Sequence, residues 1–160
     1  MGVHKGGVAA KRKYHGGLMK KGICKKCFPT VLFCLYIGFV LWITLIDRRI
    51  MGRRANLTPF WEYANVVNNV QRSYFIGQII GNLLLLMPFG FLISFLPKLQ
   101  DIKWKSVLLS ALCFSAFIEL TQFITGRGLM EFDDVFNNTV GAVVGYGLCK
   151  LINRFLHRQH

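Results

Sequence analysis

The sequence predicts an all-α polytopic membrane protein: four transmembrane helices and one interfacial helix at the outer surface. Three observations carry that prediction. Four apolar runs, at residues 28–46, 76–96, 106–125 and 135–156, approach the length of about 20 residues needed to cross a hydrocarbon core. Hydrophobic residues make up 53% of the chain and 14 of its 160 residues are Phe, which is too apolar for a small soluble domain. Between the first two runs, residues 59–72 carry a separate helical pattern.

The first run follows a Gly- and Lys-rich segment. Residues 1–27 lack helical periodicity and read as a disordered basic cytoplasmic tail, and Met19-Lys20-Lys21 reads as a second plausible start, making residues 1–18 an extension. The run at 28–46 is longer than the apolar core of a signal peptide. Ile46-Asp47-Arg48 lacks the small residues of a cleavage site, so an uncleaved anchor is expected. Residues 28–156 form one membrane domain, and 157–160 its short cytoplasmic end.

Net charge is +13, and its distribution bears on orientation. Fourteen Lys and Arg residues precede the first run, lie in the loop 97–105 or end the chain, against six on the opposite side. That excess places both termini in the cytoplasm of a plasma-membrane protein. Arg48, Arg49, Arg53 and Arg54 run against the trend. The basic tail has no interleaved aromatic residues for base stacking, so nucleic acid is not expected as a partner and membrane lipids are. Cys24 and Cys27 form a CxxC without two further zinc ligands nearby, which reads as a pair of reduced thiols.

In the outer connection, Thr58 reads as an N-cap with Pro59 at the first helical position. Phe60, Ala64, Val67, Val70 and Tyr74 then share one face, as an interfacial helix requires. In the second run, Pro88 withholds a hydrogen bond from the Leu84 carbonyl and predicts a kink. Asn82 lies six residues inside this run, roughly 9 Å deep at the usual helical rise.

The third and fourth runs carry the sharpest anomaly. Glu119 and Gln122 lie inside apolar sequence, followed by the turn Gly126-Arg127-Gly128 and by Asp133 and Asp134 at the start of the fourth run. Ionisable groups at membrane depth face a protein interior or a site. Arg127 is the expected cation for Glu119, and Asp133 and Asp134 are expected to cap the fourth helix. Asp134, Asn138, Gly141 and Gly145 fall on one helical stripe, whose GxxxG allows close backbone approach to a neighbouring helix. The candidate ligand-binding residues are therefore Asn82, Glu119, Gln122, Arg127, Asp133, Asp134 and Asn138. Pro59, Pro88, Gly90, Gly141 and Gly145 are assigned structural roles.

Taken together, these residues resemble the VanZ-like family. The carriers are Asn56-Leu57-Thr58-Pro59-Phe60; Asn82 six residues before Pro88-Phe89-Gly90; Glu119 with Gln122-Phe123; Asp134-Val135; and Asn138-Thr139 with Gly141 and Gly145. The resemblance covers residues 56–146 and implies a bacterial membrane protein acting in resistance to teicoplanin-type glycopeptides. The expected partner is an envelope lipid, a lipid-linked wall precursor or a lipoglycopeptide, held in an outer-leaflet polar pocket without catalysis, cofactor or metal.

Two other classes stay open. A membrane-embedded enzyme acting on a lipid-linked substrate would use Glu119 with Asp133 or Asp134 as acid and base, or a divalent ion near them. Against it, the sequence has no HExxH and no His between Phe28 and Phe155. A transporter subunit would need to oligomerise, because four spans are few and no internal repeat is visible.

Overall fold

The computed structural model describes residues 17–157. Helix α1 (Gly17–Leu41) continues into a π-helical turn (Trp42–Ile46). Strand β1 (Ala55–Asn56), the short helix α2 (Trp61–Val67) and helix α3 (Arg72–Ile93) follow. Helix α4 (Trp104–Thr125), strand β2 (Met130–Glu131) and helix α5 (Phe132–His157) complete the chain. Four stretches are long and apolar enough to cross a membrane: Cys27–Ile46, Arg72–Ile93, Trp104–Thr125 and Phe132–Leu156.

Helix bounds differ from the hydropathy runs for a simple reason. Helical hydrogen bonding is indifferent to side-chain polarity, so α3 begins at Arg72 and α5 at Phe132, ahead of their apolar runs. Residues 17–27, read from composition as part of a disordered tail, are helical in α1. Leu, Met, Lys and Ile there are adequate helix formers continuous with the span. The remainder of that tail, residues 1–16, lies outside the described residues, as do 158–160.

The bundle is apolar outside and polar within. Phe39, Leu109, Phe117, Leu120 and Phe155 are exposed, as lipid-facing side chains must be, whereas Glu62, Glu119, Asp133, Asp134, Asn137 and Asn138 are buried. A core of Val40, Leu86, Phe89, Ile93, Val107, Ala111, Ile118 and Ala142 fills the middle.

Helix α5 is the central element, packed most extensively on α3 and then on α4. Its glycines explain why. A Cβ on Gly141 would overlap the carbonyl oxygen of Leu83, and one on Gly145 that of Met87. Reciprocally, a Cβ on Gly90 of α3 would overlap the Ala142 carbonyl. Backbone lies on backbone over more than one turn, so dispersion forces act at close range. Pro88, which is exposed, does not interrupt α3, and Tyr36 donates its hydroxyl to the Leu85 carbonyl one turn earlier.

The connections add a feature not expected from sequence. Strands β1 and β2 pair in parallel, Ala55 with Met130 and Asn56 with Glu131. Met51 N–H also donates to the Gly126 carbonyl, so the loop after the first span is sewn to the α4–α5 loop. The interfacial helix differs from expectation too. It spans Trp61–Val67, and Phe60 precedes it in a left-handed conformation (φ 59°) with no side-chain cap from Thr58. Phe60, Ala64, Val67, Val70 and Tyr74 are all exposed, so this apolar face is left largely uncovered while Glu62 is buried.

Substitution at two glycines tests the close approach. Gly141→Ala should lower the unfolding free energy in detergent by about 1–3 kcal/mol, because the Leu83 backbone cannot yield. Gly147→Ala meets nothing within 4 Å and should be neutral or stabilising by up to about 1 kcal/mol through helix propensity.

Candidate functional site

Polar residues from α2, α3, α4, β2 and α5 converge at the end of the bundle that α2 covers. Helix α4 ends there in a Schellman motif about Gly126 (φ 67°), with Arg127 N–H donating to the Gln122 carbonyl and Gly126 N–H to that of Phe123. The chain then reverses through β2 into α5, bringing Glu131, Asp133 and Asp134 beside Glu119.

Two of the expected binding residues cap the first span. The last carbonyls of a helix lack intrahelical donors. Gln122 Nε2 donates to the Thr44 carbonyl at 2.9 Å, and Arg127 Nη1 to those of Ile46 at 2.8 Å and Leu45 at 3.4 Å. Arg127 is thus directed at the end of the π-helical turn, where a cation also suits the negative helix end. The cation that acts on Glu119, Glu131 and Asp134 is Arg48.

Asp133 has a different partner from the one its position suggests. Its carboxylate accepts from Phe60 N–H at 2.6 Å and Glu62 N–H at 2.8 Å, so it caps α2 from across the fold. This pair of bonds also holds Phe60 in its left-handed conformation, with the Phe60 ring edge-on to Phe132 and Phe136. Glu119 accepts from Glu131 N–H at 3.0 Å, fixing β2 on α4. Asp134 accepts from Asn82 Nδ2, and Asn138 Nδ2 donates to Ser115 Oγ at 2.9 Å. Asn82, Glu119, Asp133, Asp134 and Asn138 thus each carry a bond between elements, and together these bonds tie α2, α3 and α4 to β2 and α5.

Several participants were not singled out from the sequence. Glu62 is 1% exposed, and its Oε2 accepts from Asn137 Nδ2 at 3.1 Å. Tyr63 donates its hydroxyl to Asn137 Oδ1, and the Trp61 side chain lies beside Glu131. One signal was available: Glu62 is the only charged residue between Arg54 and Arg72, flanked by Trp61 and Tyr63. Glu131 and Asn137 offered less, because Glu131 stands in the turn just before the expected caps Asp133 and Asp134, and Asn137 beside Asn138, which already carried the expected role.

Glu62, Glu131 and Asp134 are buried, and each offers a carboxylate oxygen within 4.8 Å of the others. Oxygen donors of this kind suit hard divalent cations. Burial pushes the Glu62 carboxyl up to about 8, aided by the charges of Asp134, Glu131 and Asp133 and opposed by the Asn137 hydrogen bond. Burial raises Glu131 as well, against the effect of the neighbouring Trp61 side chain, while Asp133 adds to the rise and Arg48 opposes it.

The network borders two concavities. An open cleft of about 310 Å³ is lined by Ile43, Thr44, Asp47, Arg48, Gln78, Gly81, Asn82 and Leu85. Asn82 joins its wall to Asp134. A groove of about 370 Å³ between α4 and α5 runs from Phe132 and Phe136 to Leu108 and Val144, and its exposed lining is wholly apolar.

Two measurements probe this arrangement. Asp133→Ala should leave the Phe60 and Glu62 amides without their acceptor and accelerate hydrogen exchange across residues 60–67, with little change in the core of α3. The second concerns pH. A carboxyl with a raised folded pKa stabilises the fold below its unfolded value near 4.5, and this is lost as pH rises through about 8. Without divalent cations, the unfolding midpoint should therefore fall from about pH 5 to about pH 9, and less steeply in Glu62→Gln.

Comparison with known proteins places this geometry. The chain matches the VanZ/LLP1 family over residues 33–153. It is similar to Protein VanZ of Enterococcus faecium, at 30% identity over 136 residues, covering 80% of this chain and 77% of that protein. No solved structure matches it. The matched span encloses α2, both strands and every carboxylate of the network, and the chain belongs to the VanZ-like family.

Proposed function

We propose that this protein acts at the bacterial cell surface in resistance to teicoplanin-type glycopeptides. In this reading it is a multi-pass protein of the plasma membrane with both termini in the cytoplasm. It binds an envelope lipid, a lipid-linked wall precursor or a lipoglycopeptide at the α2 end of the bundle. The observation that carries the proposal is the open cleft that presents Arg48, Gln78 and Asn82 over a buried carboxylate network. Arg48 offers a cationic fork to a phosphate or carboxylate, and the cleft's polar amides supply orienting hydrogen bonds. The apolar groove beside Phe132 and Phe136 reaches the same end and suits an acyl chain. Family membership supports the resistance role, and the excess of basic residues on the terminal side supports the orientation.

An enzymatic reading on a lipid-linked substrate draws on the same buried carboxylates. In this reading Glu119 acts with Asp133 or Asp134 as acid and base, and Asp134 is the one of the three that accepts no backbone amide. Product formation from such a substrate by purified protein would favour it.

The binding reading predicts a pattern of resistance in a host lacking its own copy. At equal membrane abundance, Arg48→Ala and Glu119→Gln should lose most teicoplanin protection. Arg49→Ala, outside the cleft lining, should retain it. Full protection by Arg48→Ala would sink the role assigned to the cleft.

A further inference from the structure

The five carboxylates at the α2 end divide into two kinds. Asp133 and Glu119 accept backbone amides: Asp133 those of Phe60 and Glu62, Glu119 that of Glu131. Glu62 and Asp134 are each held instead by one neutral side chain, Asn137 and Asn82, and Glu131 has the Trp61 side chain beside it. Those neighbours orient the three carboxylates while leaving them facing one another. Metal ligands are commonly oriented by such outer partners.

A second observation points to a missing partner. Glu62 Oε1 is buried without any hydrogen-bond donor, although the residue is 1% exposed. Gln122 Oε1 and Asn138 Oδ1 are buried and unpartnered as well. All three orphaned atoms at this end are oxygen acceptors, and Asn138 lies one helical turn from Asp134 on the same face of α5. A buried acceptor without a donor is costly, and a cation held by Glu62 supplies the missing partner of its Oε1. Among the described residues, Arg48 is the one cation acting on Glu131 and Asp134, and it lies out in the cleft.

We propose that Glu62, Glu131 and Asp134 form a binding site for one hard divalent cation of the Ca2+, Mn2+ or Mg2+ class. The donor set is all oxygen, which excludes a soft-metal preference. Carboxylate oxygens within 4.8 Å of one another match the span between opposite ligands of an ion that holds oxygens at about 2.3–2.6 Å. One divalent ion together with Arg48 balances the charge of the three carboxylates. The three ligands come from α2, β2 and α5, so the ion staples the short helix onto the bundle. Occupancy of the site and docking of α2 are thereby coupled. The proposal does not rest on the glycopeptide reading, because binding is measured without antibiotic.

The test uses the full chain purified in detergent, stripped with chelator, and returned to chelator-free buffer near pH 8. Mn2+ is titrated in, and the free ion is followed by its paramagnetic resonance signal. One Mn2+ should be taken up per chain, displaceable by Ca2+ or Mg2+, with a rise in unfolding temperature. Glu131→Gln and Asp134→Asn should weaken uptake at least about tenfold. Asp101→Asn, at an exposed carboxylate in the opposite loop, should not change it. A wild-type protein that leaves the Mn2+ signal undiminished up to about 1 mM overturns the proposal. So does undiminished uptake by both ring variants, which would mean surface binding only. Where a ring variant fails to fold, the wild-type titration decides alone.

Discussion

Contact between α3 and α5 at Gly90, Gly141 and Gly145 sets the geometry on which the rest of the bundle depends. With no Cβ at these positions, carbonyl oxygens of one helix rest against the backbone of the other. Asn82 directly precedes Leu83, where that contact begins on α3, and Asp134 lies about two turns before Gly141 on α5. The hydrogen bond between them is available only because the backbones are this close. A bulkier seam would separate the two helices and leave a buried carboxylate without its amide. Within a lipid environment, where apolar burial does not drive helix association, small residues supply the close packing that holds the helices together.

From that seam outward, the structure is governed by satisfaction of polar groups where water is scarce. The last carbonyls of the first span are met by Gln122 and Arg127, and two amides at the start of α2 by Asp133. Glu119 fixes β2 through a backbone amide, and β2 in turn pairs with β1. Each interaction joins segments far apart in sequence. Together they hold the connection after the first span as a cover over the carboxylates, with Arg48 left in the cleft beside Asn82. Asymmetry within this network gives the site its chemistry: carboxylates bonded to amides serve as structural braces, and the remaining three carry mutual repulsion that a cation can relieve.

Much of the architecture was legible in the sequence because lipid imposes length and polarity rules on each segment separately. The four spans follow from apolar runs near bilayer length, and the small residues of the α3–α5 seam from spacing on one face. The polar residues at membrane depth were legible for a related reason, since Glu119 and Asp134 stand against an apolar background. Partnership was less legible. Arg127 is the cation nearest Glu119 in sequence, yet its reach is fixed by the turn Gly126-Arg127-Gly128, which aims it at the first span. Asp133 stands at the head of α5, yet its acceptors serve α2, because the β1–β2 pairing brings that helix across the top. Glu62 was hidden by its setting in a surface helix, where a charge is ordinarily expected to face water.

What the sequence determined by itself is the set of elements: four membrane-length helices, a short apolar-faced helix between the first two, a glycine seam, and acids retained at depth. Those features depend on local composition and periodicity, which a chain carries before it folds. Tertiary structure alone decided which carboxylate meets which donor, and so which acids brace backbone amides and which face one another. Hydrogen bonding is short-ranged and directional, and its partners here come from five separate elements. No spacing rule along one helix could have brought Glu62, Glu131 and Asp134 together.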